Sequence, residues 1–245
     1  MSPRIRAFLI HLTASAVVAL LSMLVVFGVW YPDPLDKAVG VTHIFLVVLG
    51  VDVVVGPVLT FVVFKLGKPS LKFDIAVILL LQLSAFTYGV WKVAEGRPVW
   101  LVFSVDQFEL VQAYQVDHRK QNESRSEFRS QPWRGPLWAA ARRAGSKEER
   151  NSILMESLLA GVDIAQRPER YVPLADQKAE IQEHAKPINE LKQYNSASLV
   201  DSALRSWPEA NAYLPMMAKV HPVTVLIDKV SAQVIAIVDL NPWVP

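Results

Sequence analysis

Asp52 is the residue whose type and surroundings point most directly to chemistry. It lies near the middle of an apolar run, where a charge exposed to lipid is costly. Its carboxyl group should therefore face another helix, a polar partner or a water-filled pocket. Gly56 lies one helical turn further on, on the same face, and Pro57 follows it. Because glycine permits close helix approach and proline frees a backbone carbonyl, this face suits helix packing.

Gln82 is the best internal partner for Asp52, because it lies at a comparable depth in the next apolar run. A hydrogen bond between the two side chains would fix a helix bundle, and this is the interpretation that we favour. Alternatively, Asp52 engages the membrane helix of a partner protein or forms part of a proton pathway. Asp52, Gly56, Pro57 and Gln82 are therefore our candidates for helix packing or partner contact.

Signatures of catalysis are missing from the sequence. It contains no G-x-S-x-G turn, no H-E-x-x-H helix and no phosphate-binding glycine loop. Cysteine is absent, which excludes disulfides, thiolate metal sites and cysteine nucleophiles. The histidines, which show no metal-ligand spacing, are His11, His43, His118, His184 and His221. We therefore expect no catalytic, cofactor-binding or metal-binding residues, no cofactor and no small-molecule substrate.

The charged residues divide the 245-residue chain into two parts. Of its 48 Asp, Glu, Lys and Arg residues, 12 fall in residues 1–96 and 36 in residues 97–245. Three apolar runs lie in the first part, at about 7–30, 41–66 and 75–93, and each could cross a hydrocarbon core of roughly 30 Å. We predict a three-span membrane domain over 1–96 and a soluble domain over 97–245. The soluble part has no net charge, which argues against nucleic acid as a partner.

Two other interpretations of the apolar runs are disfavoured. Residues 1–6 have the basic character of a signal peptide, but the run 7–30 exceeds the usual hydrophobic region of about 7–15 residues. It also lacks a small-x-small cleavage site. The runs 41–66 and 75–93 are too long and too continuously apolar for the core of a soluble protein. We therefore expect a bundle of three uncleaved transmembrane helices.

The short loops predict the direction of the chain through the membrane. Two arginines precede the first span and three lysines lie between the second and third. Loop 31–37 carries one lysine and two aspartates instead. Basic short loops remain in the cytoplasm. We therefore expect a multi-pass protein of the bacterial inner membrane, with a cytoplasmic N-terminus, a periplasmic C-terminal domain and the lipid bilayer as its surroundings.

The soluble part predicts an α+β fold. Strand-like segments at 99–105 and 108–116 form either a hairpin or one kinked strand. Ser146 and Glu149 resemble a capping box at the start of a helix that Gly161 ends. The other predicted elements are helices over 173–194, interrupted at Pro187, and over 197–205, and a hairpin of strands 223–228 and 233–239. The N- and C-terminal strands are expected to share one sheet.

Several short segments occur in an order that carries a family resemblance. They are Tyr31-Pro32, Val51–Thr60, Phe64–Lys68, Gln82-Leu83, Tyr88-Gly89, Arg97-Pro98-Val99, Val225–Asp228 and Pro242-Trp243. In this order the chain resembles the TfpX/TfpZ family of type IV pilin accessory proteins, most strongly over residues 28–116 and 223–243. One departure is Ser231-Ala232, where the resemblance leads us to expect Thr-Gly.

The resemblance implies a non-enzymatic, chaperone-like role in which the protein assists pilin stability, assembly or surface display. A pilin in the inner membrane has an apolar helix in the bilayer and a globular head outside. A three-span bundle with a periplasmic domain could contact both at once, which raises effective affinity. Type IV pilin is therefore the expected partner. The alternative is a membrane-anchored periplasmic enzyme or sensor. A cleft with converging carboxylates or histidines in the outer domain would favour that alternative, and an apolar or edge-strand surface would favour binding.

Overall fold

Three long helices form the N-terminal part of the computed structural model, which describes residues 1–243. They are Pro3–Trp30, Val41–Val63 and Leu71–Glu95, and each is long and apolar enough to cross a membrane. A sheet-containing α+β part follows them. The prediction of a membrane-anchored protein with three spans and an α+β domain is therefore confirmed.

Two of the spanning helices change pitch along their length. The first consists of α1, Pro3–Val25, and a π-helical stretch, Val26–Trp30. A short helix, α2, covers Leu35–Val39. The second span consists of α3, Val41–Gly50, a π-helical stretch, Val51–Val55, and α4, Gly56–Val63. The third span is one continuous helix, α5, Leu71–Glu95.

The chain folds into two compact units. Residues 1–30 and 40–96 form the first, which contains the three spans. Tyr31–Val39 groups with the chain from Arg97 onward in the second. The segment that joins the first two spans is thus an internal part of the α+β unit.

Helix α2 is held in the α+β unit by backbone and side-chain contacts. The backbone N–H groups of Val220 and His221 donate to the carbonyl oxygen of Ala38 at 3.1 and 3.2 Å. Lys37 Nζ lies 2.8 Å from a carboxylate oxygen of Asp239. Ala38 is fully buried. These contacts explain why the short loop folds with the distant C-terminal part of the sequence.

A mixed sheet forms the centre of the α+β unit. Its strands are β1, Pro98–Ser104; β2, Gln107–Gln112; β3, Leu137–Ala141; β4, Tyr171–Val172; β5, Lys186–Pro187; β6, Ala212–Met217; β7, Val223–Asp228; and β8, Gln233–Val238. Their spatial order is β4-β3-β1-β2-β6-β7-β8, and β5 pairs with β6. The β1/β3 and β2/β6 pairs are parallel and the other pairs are antiparallel. The N- and C-terminal hairpins therefore share one sheet, as predicted.

The core of this unit surrounds β1, whose seven residues are all buried. The Trp100 ring packs edge-to-face against Phe128 and Tyr171, with centroids 5.7 and 5.5 Å apart. Such pairs stabilise a core beyond the area that they bury. Three helices complete the unit: α6, Lys147–Ala160; α7, Lys178–His184; and α8, Ala197–Ser206.

The local predictions for this unit are confirmed at some elements and differ at others. β1 and β2 pair antiparallel, so the hairpin is present and the kinked single strand is not. The Ser146 hydroxyl accepts a hydrogen bond from the Glu149 N–H at 3.1 Å, and α6 ends at Gly161 with φ of 64°. The predicted helix 173–194 is much shorter, because Pro187 lacks an N–H and restricts the residue before it. The chain forms α7, the short strand β5 and a 3₁₀ turn there.

Candidate functional site

A cluster of hydrogen-bonded polar side chains connects the three spans, and Gln82 lies at its centre. Gln82 Nε2 donates to Asp52 Oδ1 at 2.6 Å, to the Asp52 carbonyl oxygen at 2.9 Å and to Ser15 Oγ at 3.0 Å. Gln82 Oε1 lies 2.9 Å from His11 Nε2. Asp52 is only 6% exposed. One amide therefore contacts both other spans. The structure brings together Asp52 and Gln82, the two residues that the sequence places at a comparable depth.

Pro57 explains why the backbone of span two needs a side-chain donor. In the π-helical stretch Val51–Val55 a carbonyl bonds to the N–H five residues on. For Asp52 that residue is Pro57, which has no N–H. Gln82 supplies the missing donor to the Asp52 carbonyl. The cluster thus satisfies a backbone group that hydrocarbon could not.

His11 and Thr60 extend the cluster along the bundle. His11 Nδ1 lies 2.6 Å from Thr60 Oγ1. Because Gln82 Oε1 can only accept, the proton of the His11–Gln82 bond must reside on His11 Nε2. In the neutral imidazole Nδ1 then accepts the hydroxyl proton of Thr60. Sequence reasoning missed His11, Ser15 and Thr60; the spacing of four between His11 and Ser15, which places them on one helix face, was the available signal.

Gly56 leaves the space that the Gln82 side chain occupies. A Cβ atom built at Gly56 would overlap the terminal amide of Gln82. Gly50, in the same span, has no neighbour within 4 Å of the equivalent position. Of these two glycines in span two, only Gly56 lies where a side chain would displace Gln82.

The α+β unit contains a cleft of about 520 Å³ between the β1–β2 hairpin and α6. Glu109 and Asp163 line it together with Arg150 and the apolar side chains Ile153 and Leu154. Burial, together with a smaller effect of the nearby Asp163 carboxylate, raises the pKa of the Glu109 carboxyl to about 7. The cleft therefore contains an ionisable group that titrates near neutral pH.

Helix α6 is held on the unit by two ion pairs, and much of its apolar side beyond the cleft is exposed. The buried guanidinium groups of Arg170 and Arg167 lie 2.6 and 3.0 Å from the carboxylates of Glu149 and Glu156. We call the exposed apolar side the leucine face. Its members are Leu154, Met155, Leu158 and Leu159, which are 56, 53, 72 and 81% exposed. A surface helix normally shows the opposite arrangement, and exposed apolar patches often mark interaction sites.

Two further features bear on chemistry. Strand β8 lies at the end of the sheet and pairs only with β7 among the described strands, so it is an edge strand. No group of three or more His, Asp or Glu side chains in residues 1–243 is arranged to hold a metal ion. The second unit thus offers an apolar helix face, a sheet edge and a cleft with carboxyl groups.

Comparison with known proteins identifies the family. The profile of a family described as fimbrial assembly protein FimB matches residues 1–40. Fimbrial assembly proteins of Dichelobacter nodosus serogroups E1 and I are 35% and 34% identical to this chain over 184 residues, which is 73% of this chain and 70% of each relative. The chain belongs to the FimB family of fimbrial assembly proteins. The fimbrial assembly protein of D. nodosus serogroups C1 and C2 is 37% identical over 107 residues, covering 42% of this chain and 79% of the relative. No solved structure shows significant similarity.

Proposed function

We propose that this protein is an inner-membrane accessory protein that assists type IV pilin stability, assembly or surface display through non-enzymatic contact with the pilin. The observation that carries the proposal is the similarity to fimbrial assembly proteins over 184 residues. The order of segments that resembles the TfpX/TfpZ family supports the finer assignment to pilin. Participation in fimbrial biogenesis is the part of the proposal that the relatives support directly.

The two units offer separate contacts for the two parts of a pilin. The three spans form a hydrogen-bonded bundle that an apolar pilin helix could contact within the bilayer. The leucine face and the edge of β8 could contact the globular head, through apolar burial or strand addition. Two weak contacts made at once by one partner bind more tightly than either alone. This arrangement fits a protein that holds a subunit before its incorporation.

Asp52, Gly56, Pro57 and Gln82 serve in this proposal as a helix-packing site. A proton pathway is disfavoured, because the Gln82 amide lies between His11 and Asp52 and an amide does not relay protons. The hydrogen bonds instead fix the register of the three spans, on which any contact with a partner helix depends.

The direct test combines piliation with capture of the pilin. A strain that lacks the gene should show fewer surface pili, and the wild-type gene should restore them. Pilin should co-purify with the tagged protein from membranes extracted in mild detergent. Unchanged piliation together with no recovered complex would refute the proposal.

The leucine face can be tested without disturbing the fold. The double substitution Leu158→Glu and Leu159→Glu alters side chains that are mostly exposed, so accumulation of the protein should not change. We expect reduced recovery of pilin, because charge replaces apolar contact. Asn151→Glu, an exposed position on the same helix, is the matched control. Equal recovery with both variants would exclude the leucine face as a contact.

Orientation in the membrane is testable because the chain contains no cysteine. We propose that the α+β unit is periplasmic and that the loop between spans two and three is cytoplasmic, following the distribution of basic residues. Ser231→Cys should react with an impermeant maleimide after the outer membrane is permeabilised, and Lys68→Cys should not. The reverse pattern would contradict this orientation.

The cleft favours a second candidate, a membrane-anchored periplasmic enzyme or sensor. Glu109, with its raised pKa, could transfer a proton or respond to pH. No histidine lines this cleft. Glu109→Gln distinguishes the candidates: normal piliation supports the binding role, whereas loss of piliation with intact pilin recovery supports the enzyme or sensor.

A further inference from the structure

A groove of about 360 Å³ runs along the lipid-facing side of α3 and α5, and Asp52 lies at one end of it. Its less exposed residues are Asp52, Gln82, Val48, Phe86 and Gly89. A Cβ atom at Gly89 would come within 2.7 Å of a methyl group of Val48. The absence of a side chain there therefore lets α3 and α5 approach each other.

One carboxyl oxygen of Asp52 is unused by the bundle. Oδ1 accepts the hydrogen bond from Gln82. Oδ2 has no hydrogen-bond partner in residues 1–243, although the residue is only 6% exposed and its side chain lines the groove. A carboxyl oxygen in hydrocarbon without a donor is unfavourable. The groove therefore presents an unsatisfied acceptor at a defined depth.

The position of this acceptor determines which occupant satisfies it. The groove extends along α5 from Gln82 to Lys92, ten residues or about 15 Å, which is half of a bilayer core. A lipid tail could fill this length, but the hydrogen-bonding groups of a lipid lie at the bilayer surface. A membrane helix can carry an N–H or O–H group at any depth. The acceptor at mid-depth therefore favours a helix over a lipid.

We propose that this groove binds the apolar membrane helix of the pilin, and that an N–H or O–H group of that helix donates a hydrogen bond to Asp52 Oδ2. This inference rests on the proposed function and adds the location and chemistry of the contact. Ala85, an exposed residue lining the groove, would lie against the bound helix. Leu83, exposed on the same helix but not part of the groove, would face lipid.

Site-specific crosslinking tests the location. Ala85→Cys and Leu83→Cys each introduce the only thiol of the chain. Each variant is labelled with a benzophenone maleimide and irradiated in membranes that also contain epitope-tagged pilin. We expect at least about tenfold more pilin adduct from position 85 than from position 83. Equal adducts, or an adduct at 85 with a second copy of this chain or with lipid only, would overturn the proposal.

Asp52→Asn tests the chemistry. The Asn carbonyl can still accept the Gln82 bond, but the position of Oδ2 becomes an NH₂ group, which opposes a donor. Accumulation should therefore stay normal while the pilin adduct from position 85 falls about tenfold or more, equivalent to about 1.4 kcal/mol. An unchanged adduct would exclude donation to Oδ2.

Ala85→Phe provides a second test if Asp52→Asn does not accumulate. It fills the groove and leaves the Asp52 and Gln82 side chains unsubstituted, and Leu83→Phe is its matched control. We expect loss of pilin recovery only for Ala85→Phe, and equal recovery would overturn the groove proposal. If pilin co-purifies equally well with the wild type and with all groove variants, the groove proposal fails and the proposed function stands. If pilin never co-purifies, the proposed function itself fails.

Discussion

Gly56→Ala is the substitution that tests the polar cluster most directly. The new methyl group would occupy the position of the Gln82 amide, so the amide must move. Any such movement separates it from Asp52, Ser15 and His11 at once, because these contacts depend on one position of one side chain. A one-carbon change in span two therefore disrupts contacts in all three spans.

The expected magnitude follows from the contacts that are lost. The two N–H groups of Gln82 are shared among three acceptors in the other spans, and its oxygen accepts from His11, so about three hydrogen bonds are lost. Interhelical hydrogen bonds in membrane proteins contribute about 0.6 kcal/mol each on average, so the loss should be about 2 kcal/mol. Gly50→Ala is the matched control, since its methyl group meets no neighbour. The control should not be destabilised, because alanine is the better helix former.

The measurement is the free energy of unfolding of the purified protein in mixed detergent micelles. Sodium dodecyl sulfate is titrated, and helix content is followed by circular dichroism. Gly56→Ala should unfold at lower dodecyl sulfate than both the wild type and Gly50→Ala. Equal stability of the two alanine variants would refute the reasoning, because it would mean that the Gln82 contacts do not hold the bundle together.

Three further predictions concern the α+β unit. Val105 and Ala232 adopt positive φ angles of 61° and 59° in the two hairpin turns. Val105→Gly and Ala232→Gly should each stabilise the unit by roughly 0.5–1 kcal/mol, measured by thermal unfolding. Lower stability of both variants would contradict the inference that these turns are strained. Because the pKa of Glu109 is about 7 in the folded protein and 4.5 ordinarily, the native state binds more protons between these values. The free energy of unfolding should therefore fall as pH rises from about 4.5 to 7, by up to about 3 kcal/mol. Glu109→Gln should remove this dependence when wild type and variant are unfolded at pH 5 and pH 8. The same pH dependence in both proteins would exclude Glu109 as its source. Arg170 binds Glu149 of α6 and also donates two hydrogen bonds to the Arg142 carbonyl. Arg170→Ala should therefore release α6 and accelerate its limited proteolysis, at a cost of about 2 kcal/mol. Unchanged cleavage would show that other contacts hold the helix.

The sequence predicted the features that depend on composition and local pattern. Span number follows from the length of apolar runs, because the bilayer requires about 20 apolar residues in a row. The limits of α6 follow from Ser146 and Gly161, since capping is a property of the few residues at a helix end. The Asp52–Gln82 contact could be predicted because two polar groups at one depth in neighbouring spans have few other partners.

Features that depend on long-range pairing were not predictable in this way. Strand β6 contains Pro215, which argues against a strand in the sheet interior. It forms nonetheless, because its registered contact with β2 involves only Met216 and Met217, beyond the proline. The assignment of Tyr31–Val39 to the α+β unit depends on contacts such as that of Lys37 with Asp239, 202 positions away. No local pattern contains such information.

Asp52 connects the stabilising role of the cluster with the proposed contact to pilin. A buried carboxyl group in a membrane bundle has two oxygens, and here the bundle uses only one for a side-chain hydrogen bond. If stability were its sole role, a residue with a single acceptor would suffice and would leave no unsatisfied oxygen in hydrocarbon. The Gln82 bond fixes the orientation of the carboxyl group, and this orientation holds the other oxygen at the groove. If Oδ2 binds the pilin helix, the internal bond and the partner bond are two parts of one arrangement, and Asp52→Asn separates them because it retains the first and opposes the second.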